Sequence, residues 1–163
     1  MDAITCLKTR RSVRVFRDTA VDRSVVEDIV DCARLAASGN NAQPWVFIAV
    51  DDPDLRRQIA EMTDWGRFIG QAPVCVAVLC HRTRYYLEDG SAATQNLLNA
   101  ARAHELGSCW VAGDKKPYAR PVATLLGVKE DLALVSLVAL GYPAEEPAPA
   151  KRPLGEVLRW NRY

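Results

Sequence analysis

The stretch Ser38-Gly39-Asn40-Asn41-Ala42-Gln43-Pro44-Trp45 joins two different residue patterns. Before it, Val26, Ile29, Val30, Ala33 and Ala37 recur at helical spacing and describe an amphipathic helix. After it, Trp45 to Val50 is rich in β-branched and aromatic residues, and Val46 to Val50 reads as a buried strand. Gly39 and Asn40 can take positive φ, while Pro44 biases Gln43 toward an extended conformation. Such a helix-to-strand junction exposes main-chain N–H groups and short polar side chains at one mouth of a sheet.

Outward from this junction the helix and strand patterns interleave. Ala3 to Lys8 reads as a short first helix with Ile4 and Leu7 on one face. Asp22 or Ser24 caps the second helix, Ser24 forming a capping box with Glu27. Asp52-Pro53 starts a third, with proline at the first helical position and Leu55, Ile59 and Met62 on its buried side. Thr63 to Gln71 reads as a short helix plus a loop dominated by Trp65 and Phe68. Val74 to Cys80 lacks polar alternation, so both faces of that strand are expected to be covered. Asp89 or Ser91 caps the longest helix, which runs to about Leu106 with Gly107 as its left-handed terminator. Its Gln95 and Asn96 read as hydrogen-bonding core residues or dimer contacts. Ser108 to Ala112 is a short strand broken at Gly113-Asp114, Tyr118 to Leu126 a helix closed by Gly127, and Leu134 to Leu140 an apolar strand. From Ala144 the chain is rich in proline and glutamate and reads as an extended arm with an apolar end at Leu154, Val157, Leu158, Trp160 and Tyr163. The whole, residues 1–163, is expected to be one domain with an arm at about 144–163.

Composition excludes several classes. A net charge of +1 gives no global attraction to nucleic acid or anionic membrane, and no aromatic–basic interleaving accompanies the basic cluster. The longest apolar run, Ala72 to Cys80, is far shorter than the roughly 20 residues a membrane-spanning helix needs. An acidic Met1-Asp2 opening without an apolar signal region predicts a cytoplasmic location. The five cysteines contain no Cys-x-x-Cys pair and read as buried thiols in a reducing compartment. Period-two alternation points Cys75 and Cys80 to opposite faces of their strand. His81 and His104 are too isolated for a metal constellation, so no metal is expected. Also missing are a Gly-x-Gly-x-x-Gly dinucleotide fingerprint, a Gly-x-Ser-x-Gly elbow and a Cys–His nucleophile arrangement. A chain without its own nucleophile, acid–base pair or metal can still be an enzyme when a cofactor carries the chemistry.

The densest charge in the chain is Lys8, Arg10, Arg11, Arg14 and Arg17. It fits a solvated helix end, where cations meet the negative end of the dipole. It also fits an anion cradle, in which arginine forks match phosphate oxygens and Ser12 adds a hydroxyl donor.

Arg10-Arg11-Ser12-Val13-Arg14, the Ser38–Trp45 loop and Leu140-Gly141-Tyr142-Pro143 form an ordered set that resembles the nitroreductase-like flavoprotein family. The resemblance covers nearly all of residues 1–160. In one departure, Ala37 stands where the family often has proline before the serine. The resemblance implies an α+β fold, a small mostly antiparallel sheet flanked by helices, in an intertwined homodimer with FMN at the interface. It implies that Arg10, Arg11 and Ser12 meet the FMN phosphate, with either Lys151 or Arg152 adding a cation. Arg14 would then face N1 and the C2 carbonyl, where reduction leaves negative charge. Asn41 and Gln43, with Ser38 in the same polar loop, would meet the pyrimidine edge, and main chain at Ala112-Gly113 would donate to N5. No catalytic side chain is implied, because FMN carries the chemistry. The implied activity is an NAD(P)H oxidoreductase, with NADH or NADPH as donor. It would pass electrons to nitroaromatics, quinones or related small acceptors by a ping-pong mechanism. A non-catalytic flavin carrier or sensor is the alternative.

Overall fold

Two helical layers cover the faces of a four-stranded antiparallel sheet in the computed structural model, which describes residues 1–163. The elements in chain order are α1 (Ala3–Thr9), α2 (Arg23–Arg34), β1 (Trp45–Val50), α3 (Pro53–Met62), β2 (Val74–His81), α4 (Tyr86–Ala103), β3 (Gly107–Ala112), α5 (Ala119–Leu125), β4 (Leu132–Gly141) and α6 (Leu154–Val157). Single 3-10 turns occupy Gly39–Asn41 and Arg67–Gly70. The strands lie in the order β1-β2-β4-β3. This agrees with the expected small sheet flanked by helices, and every strand pairing in it is antiparallel. No helix is long and apolar enough to cross a membrane.

The two central strands are the most apolar, as continuous hydrophobic runs dictate. Every residue of β4 and all of β2 except His81 are buried. On one face Val76, Val78 and Cys80 pack with Val138 and Leu140 beneath α2 and α4. On the other, Cys75, Ala77 and Leu79 pack with Leu137 and Ala139 against α3 and α5. The two strand cysteines therefore do face opposite layers, and all five cysteines are free thiols. A bulge interrupts β4: Val78 pairs with Ser136 and Leu79 with Leu134, leaving Val135 as the extra residue. It flips the alternation, so Leu134 and Leu137 share a face although they stand three positions apart.

Local signals set most boundaries. Asp52 accepts the N–H groups of Asp54 and Leu55 at 2.8 and 2.9 Å, with Pro53 in the first turn. Gly127 takes φ 77° after α5, where its N–H and that of Val128 close the helix on Thr124 and Ala123. Several expectations differ from what forms. β1 is an edge strand and only half-buried, because one side of it has no neighbour. The residue before α2 is Asp22, so Ser24 lies inside the helix and no capping box forms. α4 ends at Ala103, and Glu105, with φ 61°, is its left-handed terminator. The Leu106 and Glu105 N–H groups bond back to Ala101 and Arg102, which frees Gly107 to open β3.

Ahead of the sheet, residues 12–17 are stitched along the start of β3 and the exit of β4. Val13 donates to the Ser108 carbonyl, Arg17 to Tyr142, and Ala144 to Val15. The Glu145 carboxylate accepts the N–H groups of both Arg14 and Val15, at 2.6 and 3.1 Å. Beyond Glu146 the arm leaves the globule: Leu154 is 70% and Trp160 80% exposed. Its apolar end finds no cover within the chain.

Candidate functional site

The open edge of β3 is the centre of the site. Gly113 donates its N–H to the Val135 carbonyl at 3.0 Å, so main-chain groups at Gly113 and Val111 face β4. By antiparallel alternation, those of Ser108, Trp110 and Ala112 face the opposite way, toward the edge. The Val13 N–H on Ser108 and the Tyr118 O–H on the Ala112 carbonyl both arrive from that side. The N–H groups of Trp110 and Ala112 remain there, pointing to open space. Of the expected Ala112-Gly113 pair, Ala112 is therefore the available donor. Gly113 has a different role, because a Cβ there would lie 2.6 Å from the Leu134 carbonyl oxygen. Only glycine allows the strand to approach the β4 bulge this closely.

A cavity of about 450 Å³ lies against this edge, lined by Arg14, Trp65, Phe68, Trp110, Ala112, Lys116 and Tyr118, among others, with no carboxylate. Arg14 is exposed and stands 6.0 Å over the Phe68 ring, held by a cation–π contact. Trp65, on the turn after α3, is 83% exposed. Burial pushes up the Tyr118 phenol and the Cys109 thiol, which therefore stay protonated at neutral pH. Neither offers an anionic nucleophile there.

Arg10 and Arg11 line a separate cavity of about 440 Å³ with Lys8, Arg102 and the start of the arm. Arg11 is partly committed: its Nη1 donates to the Lys8 and Arg10 carbonyls at 2.9 and 2.8 Å, capping the end of α1. Its Nε is buried without a partner. Ser12 bridges in parallel to Ser108 and ties this segment to β3. Glu145 and Glu146 also border the cavity, although the Glu145 carboxylate is occupied by main-chain donors.

The polar loop is built from within. Asn40, Asn41 and Gln43 have φ of 53°, 55° and 47°, and Gly39 does not need positive φ. Gln43 is thus left-handed rather than extended. Its N–H is drawn to the Ser38 hydroxyl at 3.0 Å, and this bond outweighs the bias from Pro44. Ser38 consequently serves the loop, whereas the Asn41 and Gln43 side chains stay exposed. Asp89, expected as a helix cap, is instead buried in the first turn of α4, and its Oδ1 accepts the Gly39 N–H at 2.8 Å. A single chain brings Arg14 together with Ala112, and Arg10 with Arg11, but not the polar loop with either pair. Lys151 and Arg152 stand on the exposed arm and line neither cavity. Lys116 and Trp110 were not evident from the sequence. The only signal for Lys116 was its place just after the Gly113-Asp114 break.

A family profile described as the Nitroreductase family matches residues 7–66 and 62–142. A protein of Archaeoglobus fulgidus, provisionally named an NADH dehydrogenase/NAD(P)H nitroreductase, is 35% identical over 86% of this chain and 87% of its own length. A structure of a protein with the same provisional name from Bacteroides thetaiotaomicron superposes with a TM-score of 0.93. It is 26% identical and covers 99% of this chain and 98% of its own. A provisionally named nitroreductase from Desulfovibrio desulfuricans, solved in complex with FMN, gives a TM-score of 0.86 at 28% identity, over 100% of this chain and 98% of its own.

Proposed function

The chain belongs to the nitroreductase family, and from that premise we propose that it is an FMN-dependent NAD(P)H oxidoreductase that works as a homodimer. What carries this reading is the open edge of β3, where the Ala112 N–H faces a carboxylate-free aromatic cavity beside Arg14. A bound FMN would supply the redox chemistry, namely hydride acceptance from NAD(P)H and electron delivery to a second substrate. The residues present fit it. Ala112 N–H would donate to N5, and Tyr118 steadies the same residue from its other side by bonding the Ala112 carbonyl. Arg14 supplies positive charge for the N1–C2 region and is kept in place by Phe68. Arg10 and Arg11, with the orphaned Arg11 Nε, offer charge and donors for the phosphate.

Two features support the dimer. Asn41 and Gln43 are exposed and separated from Arg14, so a second copy is needed to bring a polar loop to the pyrimidine edge. The apolar end of the arm lies uncovered, as it would if it docked on a partner and carried Lys151 or Arg152 across. Trp65 and Phe68 border the cavity and favour planar acceptors such as nitroaromatics and quinones.

The test is direct. Purified protein should be yellow, with FMN at about one per subunit, and mixing with NADH or NADPH in a stopped-flow instrument should bleach it. Adding menadione or a nitroaromatic should restore the colour without the donor remaining bound, as ping-pong turnover requires. A colourless protein that takes up no FMN overturns the assignment. A yellow protein that never bleaches is a carrier or sensor instead.

A further inference from the structure

The turn leaving β3 carries a second cavity, of about 230 Å³, lined by Arg82, Lys115, Lys116 and Arg120 together with Asp114 and Asp131. It adjoins the aromatic cavity, because Lys116 lines both. Its two acids are already committed: Asp131 pairs with Arg82 at 3.1 Å, and Asp114 accepts the Tyr86 O–H at 2.9 Å. Lys115, Lys116 and Arg120 have no carboxylate within 4.0 Å. Arg120 gives one N–H to the Glu130 carbonyl at 3.2 Å and keeps the rest of its fork free. The neutral Tyr86 hydroxyl leaves Asp114 its charge, so four cations face two acids at one cleft, and the excess of positive charge favours an added anion. The backbone is also held against its preference there. Lys115 has φ 59°, in a turn closed by the Lys116 N–H on Gly113 and the Ala119 N–H on Lys116. Left-handed backbone is uncommon for a long side chain.

We propose that this cavity receives the diphosphate of the nicotinamide dinucleotide donor, while its nicotinamide ring enters the aromatic cavity beside Ala112. The proposal rests on the oxidoreductase reading above. In the donor, one ribose separates the ring from the diphosphate, which matches two cavities that share a single residue. The 2′-phosphate that distinguishes NADPH sits on the adenosine ribose, on the far side of the diphosphate from the nicotinamide. Lys115 and Lys116 act as point charges and Arg120 as a fork on the bridging oxygens. NADH and NADPH are therefore served alike by these cations.

Three donors test this on the flavin-loaded protein: NADH, NADPH and 1-benzyl-1,4-dihydronicotinamide, which carries the ring and no phosphate. In Lys115→Ala/Arg120→Ala, kcat/KM for NADH and for NADPH should fall together by about tenfold or more, through KM, as expected for lost charge-assisted contacts. The loss should be confined to the phosphate-bearing donors. An unchanged NADH value overturns the proposal. So does a parallel loss with the benzyl compound, which would mean a general effect on the flavin site, or a loss with NADPH alone, which would mean a 2′-phosphate site. If no donor reduces the wild-type flavin, the benzyl compound included, the oxidoreductase reading fails and this proposal with it.

Discussion

The Asp89 carboxylate holds the Gly39 N–H at 2.8 Å, and this bond fastens the polar loop after α2 to the first turn of α4. The contact spans fifty positions of sequence. Tyr85 closes the same corner, since a side chain at Gly39 would meet its ring at 2.6 Å.

Asp89→Ala should therefore destabilise the protein by about 1–3 kcal/mol, because it orphans a part-buried main-chain donor. Asp89→Asn keeps an acceptor oxygen and should recover most of the loss. Urea denaturation reads the stability, and flavin retained on gel filtration reads the loop. If Asn is as damaging as Ala, the hydrogen bond is not what matters.

Two glycines should respond differently to alanine. At Gly113 the new Cβ meets the Leu134 carbonyl, so Gly113→Ala should cost about 1–3 kcal/mol and displace the edge that presents Ala112. At Gly127 nothing lies within 4 Å, but φ is +77°, so Gly127→Ala should cost only about 1 kcal/mol and leave flavin binding alone. Paired thermal melts and flavin titrations distinguish the two mechanisms.

Arg10→Ala should weaken FMN by about 1.5–3 kcal/mol and riboflavin far less, since riboflavin has no phosphate to lose a charge-assisted bond. Fluorescence-quenching titrations with both ligands decide it. Equal losses would move Arg10 away from the phosphate.

Deleting residues 145–163 should yield a monomer or an aggregate that has also lost FMN. It removes the uncovered apolar end, the Lys151–Arg152 pair and the Glu145 carboxylate that holds Arg14 and Val15. Ending the chain after Glu145 instead isolates the effect of the arm itself. Light scattering and the flavin absorbance of the same fraction are the readouts. A flavin-loaded dimer from the shorter deletion would refute an arm that crosses to the partner.

Alkaline pH should unfold the protein through its strand cysteines. Burial pushes the Cys75 and Cys80 thiols up to about 12, from the usual 9.0. Between those values the unfolded chain has released protons that the folded chain keeps, so stability falls as pH rises. The slope is up to about 1.4 kcal/mol per pH unit for each thiol. Cys75→Ser/Cys80→Ser should flatten the stability profile over pH 9–12 measured by denaturant melts, relative to its own value at pH 7. An identical slope would place the alkaline loss elsewhere.

The elements were legible in the chain, because their signals are local. Helical spacing in α2, the continuous apolar run of β2, the Asp52-Pro53 start and the Gly127 stop need only neighbouring residues to act. The basic opening and the polar loop were legible too, as residue types in order. Tertiary structure alone decided what faces what. The strand order leaves β3 with an open edge, and its antiparallel register with β4 sets which N–H groups point out from it. Asp89 looked like a cap because acids favour helix starts, yet a donor from a distant loop claimed its carboxylate. Gln43 follows Ser38 rather than Pro44, for a satisfied hydrogen bond outweighs a local bias. Lys116 gained its place only when the turn after β3 folded between two cavities. Such roles arise from contacts between segments far apart in the chain, and no local pattern of residues encodes them.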